Sequence, residues 1–141
     1  TCALPICQII EINMKFVGDP KWSGLMETAN THPDQLSEED LARFMTFMIM
    51  ITRHADVVFL QHQRGMLDET HYLSALGPFV GALLGNRLAR EYVRAQTEGG
   101  GIFPPEFKAE MSRLLDFAEQ QRADPIFSRA SELVQKAMAR I

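Results

Sequence analysis

The sequence predicts an all-α fold: a single-domain bundle of about six to seven helices around a long central helix spanning about 38–64. Three observations predict it. Apolar residues recur at three- and four-residue spacing along nearly the whole chain after residue 8. No stretch alternates apolar and polar residues between turn signals as a half-buried strand would. Helix start and stop residues, among them Asp19-Pro20, Ser37-Glu38-Glu39-Asp40, Gly65 and Pro104-Pro105, divide the chain at helical lengths. A chain of 141 residues is of single-domain length, and one of that size buries roughly two thirds of its unfolded surface without needing a disulfide. Its 46% hydrophobic and 23% charged content is that of a globular domain, not of a disordered chain.

Each element has a local cause. TCALPI, residues 1 to 6, resembles the translation of a common sequencing adapter; it is set aside from fold reasoning, with residues 1 to 7 as a non-native or junction segment, residues 8 to 141 as the domain, and the native start expected upstream. Cys2 and Cys7 stand in that segment at a CxxxxC spacing that matches no zinc site and has no second pair, so they carry no redox or metal argument. Gln8 to Val17 reads as a helix stopped by Gly18. Asp19 is expected to cap a short helix with Pro20 in its first turn, running to about Asn30, and THPDQL is expected to be a loop. Ser37 then begins a capping box, with three acidic side chains at the positive end of a helix that runs unbroken to Gly65, a residue suited to the left-handed C-terminal position. Asp68 caps the next helix, from Glu69 to about Leu84, which Gly77-Pro78 should kink or split. Asn86 starts another that ends before Gly99-Gly100-Gly101; Pro104-Pro105-Glu106 opens one reaching about Arg122, and Asp124-Pro125 opens the last.

The stretch FMTFMIMITRH, residues 44 to 54, raises the functional question. At about 100° per residue, Leu41, Phe44, Met45, Met48, Ile51, Thr52, Ala55, Val58, Phe59 and His62 share one broad stripe, while Phe47, Ile49, Met50, Val57 and Leu60 fall outside it. A helix apolar beyond one face is expected to have neighbours on several sides, leaving Arg43, Arg53 and Arg64 to mark the solvent or ion-pair sector. Met45 and Met48 would offer two thioethers to a cuprous ion, yet neither His54 nor His62 converges on them from the same helix, so the methionines read as core filler. The run is also too short to cross a bilayer before Arg53, His54 and Asp56 interrupt it.

Other motifs point away from catalysis. The four histidines form neither HExxH nor ExxH pairs. Asp68 and His71 read as a cap and an exposed first-turn residue, and His62 as a buried ring with one hydrogen bond. The triple glycine follows a helix and lacks the Gly-Lys-Ser/Thr ending of a phosphate loop, so it reads as a linker. Gly77, Gly81 and Gly85 form a ladder of small residues expected to permit close helix packing. Ser23, Ser74, Ser112, Ser128 and Ser131 lack a nucleophile-elbow setting. A net charge of -4 and the absence of a basic face among the 14 Lys and Arg argue against nucleic acid.

Asn13-Met14, Gly18-Asp19-Pro20, Leu36-Ser37-Glu38-Glu39, Arg43-Phe44, Asp56, Gln61, Gly65-Met66-Leu67-Asp68 and Phe103-Pro104-Pro105-Glu106-Phe107 together give the chain a pattern that resembles an uncharacterised bacterial family, over roughly residues 8 to 118. In that family a transmembrane anchor and a short basic segment precede a small helical domain. This chain departs from the pattern at Asp56, where the family tends to have Glu, at Tyr72 and Tyr92, where it tends to have Trp, and in its triple glycine. The resemblance implies a domain held at the cytoplasmic face of the membrane, the basic segment fixing the side. The first expectation is therefore a non-enzymatic, membrane-tethered domain acting through a protein partner or self-association, with no cofactor. The second is a binder of small apolar ligands, with Phe44, Met45, Met48 and Phe59, and His62 beside them, as ligand or core positions. The third is a metalloenzyme using His54, Asp56 or His62 with ligands from another helix.

Overall fold

The computed structural model of the chain describes residues 19–124 together with Glu11, Leu133, Lys136 and Ala137. The helix expected over 8–17, the adapter-like start, both cysteines and the helix expected after Asp124 lie outside the described residues. Within them the protein is all-α: α1 (Trp22–Thr31), a 3-10 turn (Pro33–Gln35), α2 (Glu38–Gln63), α3 (Glu69–Ala75), α4 (Gly77–Gly85), α5 (Arg87–Glu98) and α6 (Pro105–Ala123).

Asp19 acts one step earlier than the sequence suggests. Its side chain accepts from the Lys21 amide at 2.9 Å and its carbonyl from the Trp22 amide at 3.0 Å, so Asp19-Pro20 forms a turn ahead of α1 and not its first turn. Trp22, Leu25 and Ala29 then bury one face of α1, and the Trp22 ring meets Phe47 of α2 edge-on at 4.9 Å. The segment expected to be an open loop closes into the 3-10 turn.

The 26 residues of α2 form one rod of about 39 Å at 1.5 Å per residue. Ser37 Oγ accepts from the Asp40 amide at 3.1 Å, while Glu38, Glu39 and Asp40 occupy the first turn. At the other end the Gly65 amide donates to the His62 carbonyl at 3.0 Å and the Met66 amide to the Gln61 carbonyl at 2.9 Å. This is the Schellman arrangement, and Gly65 holds the left-handed conformation it needs at φ 73°. The Gly77-Pro78 break separates α3 from α4 at Leu76. Pro78 sits in the first turn of α4, where its missing N–H leaves no bond unmade.

The core is drawn from every helix. Phe44, Met48, Phe79, Leu83, Val93 and Met111 are essentially fully buried, and α6 makes the most extensive helix–helix contacts, against α5 and α4. Between α4 and α5, Asn86 is buried; its Oδ1 accepts from the Ala89 amide at 3.1 Å and its Nδ2 donates to the Met26 carbonyl of α1 at 3.1 Å. Arg90 and Arg122 donate to the Leu83 and Leu84 carbonyls at 2.8 and 2.7 Å, capping the C-terminus of α4. Burial, reinforced by the neighbouring Arg122, pulls Arg90 down to about 10. The glycine ladder departs from expectation. A Cβ at Gly77, Gly81 or Gly85 would meet nothing within 4 Å, so these residues face open space and not a packed helix.

Candidate functional site

The five positions singled out in α2 separate by depth. Phe44 and Met48 are fully buried core residues, Met45 and Phe59 are half-buried against that core, and His62 is half-buried in the last turn. Leu41, assigned to the same stripe, is exposed because it lies at the stripe's edge in the first turn of the helix. His62, expected to be a buried ring, is only half-buried. His54 is the buried one, in a backbone hydrogen bond with Ala75, and burial pushes its pKa down. Among the described residues no three His, Cys, Asp or Glu side chains converge as a metal would need, and no helix is long and apolar enough to cross a membrane.

His62 anchors a small polar cluster where α2 turns into α3. The reversal at Gly65 brings the Leu67 carbonyl to 2.9 Å from His62 Nδ1, so Nδ1 carries a proton and donates to it. Nε2 then faces Glu69 Oε2 at 3.3 Å. The imidazole stacks on Tyr72 at 4.2 Å with planes 5° apart, and an aromatic chain continues through Phe59 to Phe107 and Phe103. Burial first, and then the Glu110 carboxylate, push the Tyr72 phenol well above its usual range. Its buried hydroxyl lacks a partner of good hydrogen-bond geometry, while Glu110 itself is ion-paired with Arg113. A phenol held protonated is neither base nor nucleophile, and no described hydroxyl or thiol is hydrogen-bonded to His62. The cluster is built to fasten the 64–68 turn. Asp68 and His71 stand as expected: the Asp68 carboxylate accepts from the His71 amide at 2.8 Å and from its exposed ring at 2.7 Å.

A groove of about 300 Å³ lies between α5 and α6, lined by Arg94, Thr97, Glu98, Lys108, Ser112 and Asp116 among others. Its cations are engaged, Arg94 with Glu119 and Lys108 Nζ with the Gly99 carbonyl at 3.2 Å. Mixed charge and occupied cations make it a poor anion site, in keeping with the reading of the adjacent triple glycine as a linker.

The feature that sequence reasoning missed is the far side of α2. Ile49 and Leu60 are 38% and 42% exposed, although their apolar character had suggested neighbours on several sides. They fall on a line with exposed Ala42, Thr46, Arg53 and Gln63 and half-buried Asp56. The steps along that line, 42, 46, 49, 53, 56, 60 and 63, alternate four and three. These positions therefore share one strip of the helix surface, opposite the face that carries Phe44 and Ile51 into the core, with Ile49 and Leu60 flanking Arg53 and Asp56. A single exposed leucine signifies nothing; the signal available in the sequence was Arg53 and Asp56 lying between Ile49 and Leu60 on one strip, masked there by the broad run of methionine and phenylalanine on the other side. Comparison with protein-family models, with curated proteins and with solved structures finds no match to this chain.

Proposed function

We propose that this chain is a non-enzymatic helical domain that works through protein contacts made on the open face of α2, and that an upstream anchor holds it at the inner face of a membrane. The observation that carries the contact reading is the strip itself: Ile49 and Leu60 stay partly exposed on either side of Arg53 and Asp56 while the opposite side of the same helix fills the core. Two further features favour contacts over chemistry. The titratable groups around His62 are directed at one another, and the methionines at 45 and 48 point into packing and not toward a third ligand. Support for the anchor comes from the family resemblance alone.

Site-specific photocrosslinking tests the contact reading. A photoreactive residue at 49 or 60, introduced in the cells that encode the protein, should give the same identified adduct at both positions, and much less at exposed Gln120 on α6. Equal labelling at all three positions would sink it. The anchor is tested by the complete reading frame, which should encode about 20 consecutive apolar residues upstream; an upstream region without them removes the tether and leaves the contact face standing.

A further inference from the structure

The strip on α2 has a property that a generic docking face does not need: it is complementary to itself. Running α2 against a second α2 in the opposite direction, about a two-fold axis midway between residues 53 and 56, pairs every position with the one that completes the sum 109. Ile49 then faces Leu60 of the other copy, Arg53 faces Asp56, Asp56 faces Arg53 and Leu60 faces Ile49. Thr46 meets Gln63 at the next layer out, where α2 ends. Apolar meets apolar and cation meets anion on both sides of the axis. A parallel arrangement instead places Arg53 on Arg53 and Asp56 on Asp56.

Resting on the contact reading above, we infer that the partner of the α2 face is a second copy of this chain, docked antiparallel through Ile49, Arg53, Asp56 and Leu60. Neither Arg53 nor Asp56 forms an ion pair with a described residue of its own chain, so both charges are available across the seam. Asp56 is half-buried, and desolvation alone holds its carboxyl above the usual range. A guanidinium from the second copy supplies the countercharge it lacks. With two apolar residues per copy at the centre and exposed charges beside them, the pair is a reversible dimer weakened by salt.

Charge reversal tests the arrangement on the full chain. By sedimentation equilibrium the wild type should show a concentration-dependent dimer. Arg53→Asp and Asp56→Arg, each creating two like-charge contacts by symmetry, should raise its dissociation constant on the order of tenfold. The double variant R53D/D56R should recover the wild-type constant, with circular dichroism and melting temperature matching wild type for all three. A parallel dimer keeps like charge against like charge at position 53 whichever sign it carries; an Ile49→Cys variant that crosslinks to itself, and not to Leu60→Cys in the other copy, would reveal one and overturn the proposal. So would a wild type that stays monomeric at the highest soluble concentration, or single reversals that leave the constant unchanged. Monomeric behaviour combined with a foreign adduct at positions 49 and 60 would overturn the self-pairing while leaving the contact face intact; equal labelling at 49, 60 and 120 would instead remove the face itself.

Discussion

Replacing Asn86 with alanine should loosen the link between α1 and the rest of the bundle, because one amide does two jobs there. Its oxygen caps α5 through the Ala89 amide at 3.1 Å, and its nitrogen donates to the Met26 carbonyl at 3.1 Å. Losing such a cap costs about 1 kcal/mol. Losing the second donor to the half-buried Met26 carbonyl, which keeps its helical partner within α1, removes one inter-helix hydrogen bond worth about 1 kcal/mol more. The sum of about 2 kcal/mol corresponds to a fall of roughly 6–8 °C in Tm for a chain of this size. Urea denaturation followed by far-ultraviolet circular dichroism reads it. Asn86→Ser separates the two parts, since a serine oxygen still caps α5 but no longer reaches Met26 as a donor, and it should lose about half as much. An alanine variant within about 0.5 kcal/mol of wild type, the scatter of an ordinary surface change, would refute the reasoning that this side chain joins two helices.

Three other outcomes follow from the same structure. Gly65→Ala should destabilise by about 1 kcal/mol or more because of the positive φ of 73°, whereas Gly81→Ala, whose Cβ meets nothing within 4 Å, should stabilise by roughly 0.5–1 kcal/mol; a loss at position 81 in chemical denaturation would mean that α4 does pack closely there. Met48→Ala should cost about 2–5 kcal/mol and Met48→Leu less than about 1.5 kcal/mol, and cuprous ion should raise the melting temperature of neither the variants nor the wild type; stabilisation of the wild type alone by the metal would favour a ligand role over filler. His54 binds its proton less readily when folded, so the unfolded chain takes up more protons below the ordinary value of 6.5 and stability falls as the pH drops from there toward the lower folded value. Urea midpoints measured between about pH 5 and 8 should show that slope reduced in His54→Gln, and an unchanged slope would mean the ring is not desolvated.

The start and stop of most helices were legible because the chemistry that sets them is local. Ser37, Asp68 and Asn86 each cap the helix that follows through an amide three residues on, and Gly65 ends α2 through a bond geometry confined to a few neighbouring residues. Asp19 misled by one step for the same local reason, since the turn and the cap use the same side-chain acceptor and differ only in which amide it meets. Depth was less legible. Periodicity marks two sides of α2 as apolar but does not say which has a helix against it, and that depends on contacts made by residues far away in the chain. Thus Met48 and Phe44 were read as core and are core, Ile49 and Leu60 were read as enclosed and are partly exposed, and His54, left without an environment, is buried against the carbonyl end of α3.

By itself the sequence determined that the described chain is helical, where most of those helices begin and end, and that its methionines at 45 and 48 do not converge with a histidine on the same helix. These are consequences of backbone hydrogen bonding and side-chain spacing within about one or two turns. Only the tertiary structure decided that the glycine ladder on α4 faces open space, that Asn86 reaches back to α1, that His54 and not His62 is the buried ring, and that Ile49 and Leu60 stay partly exposed. Each of those depends on where a distant helix comes to rest, and burial is a property of that whole arrangement and not of any one segment.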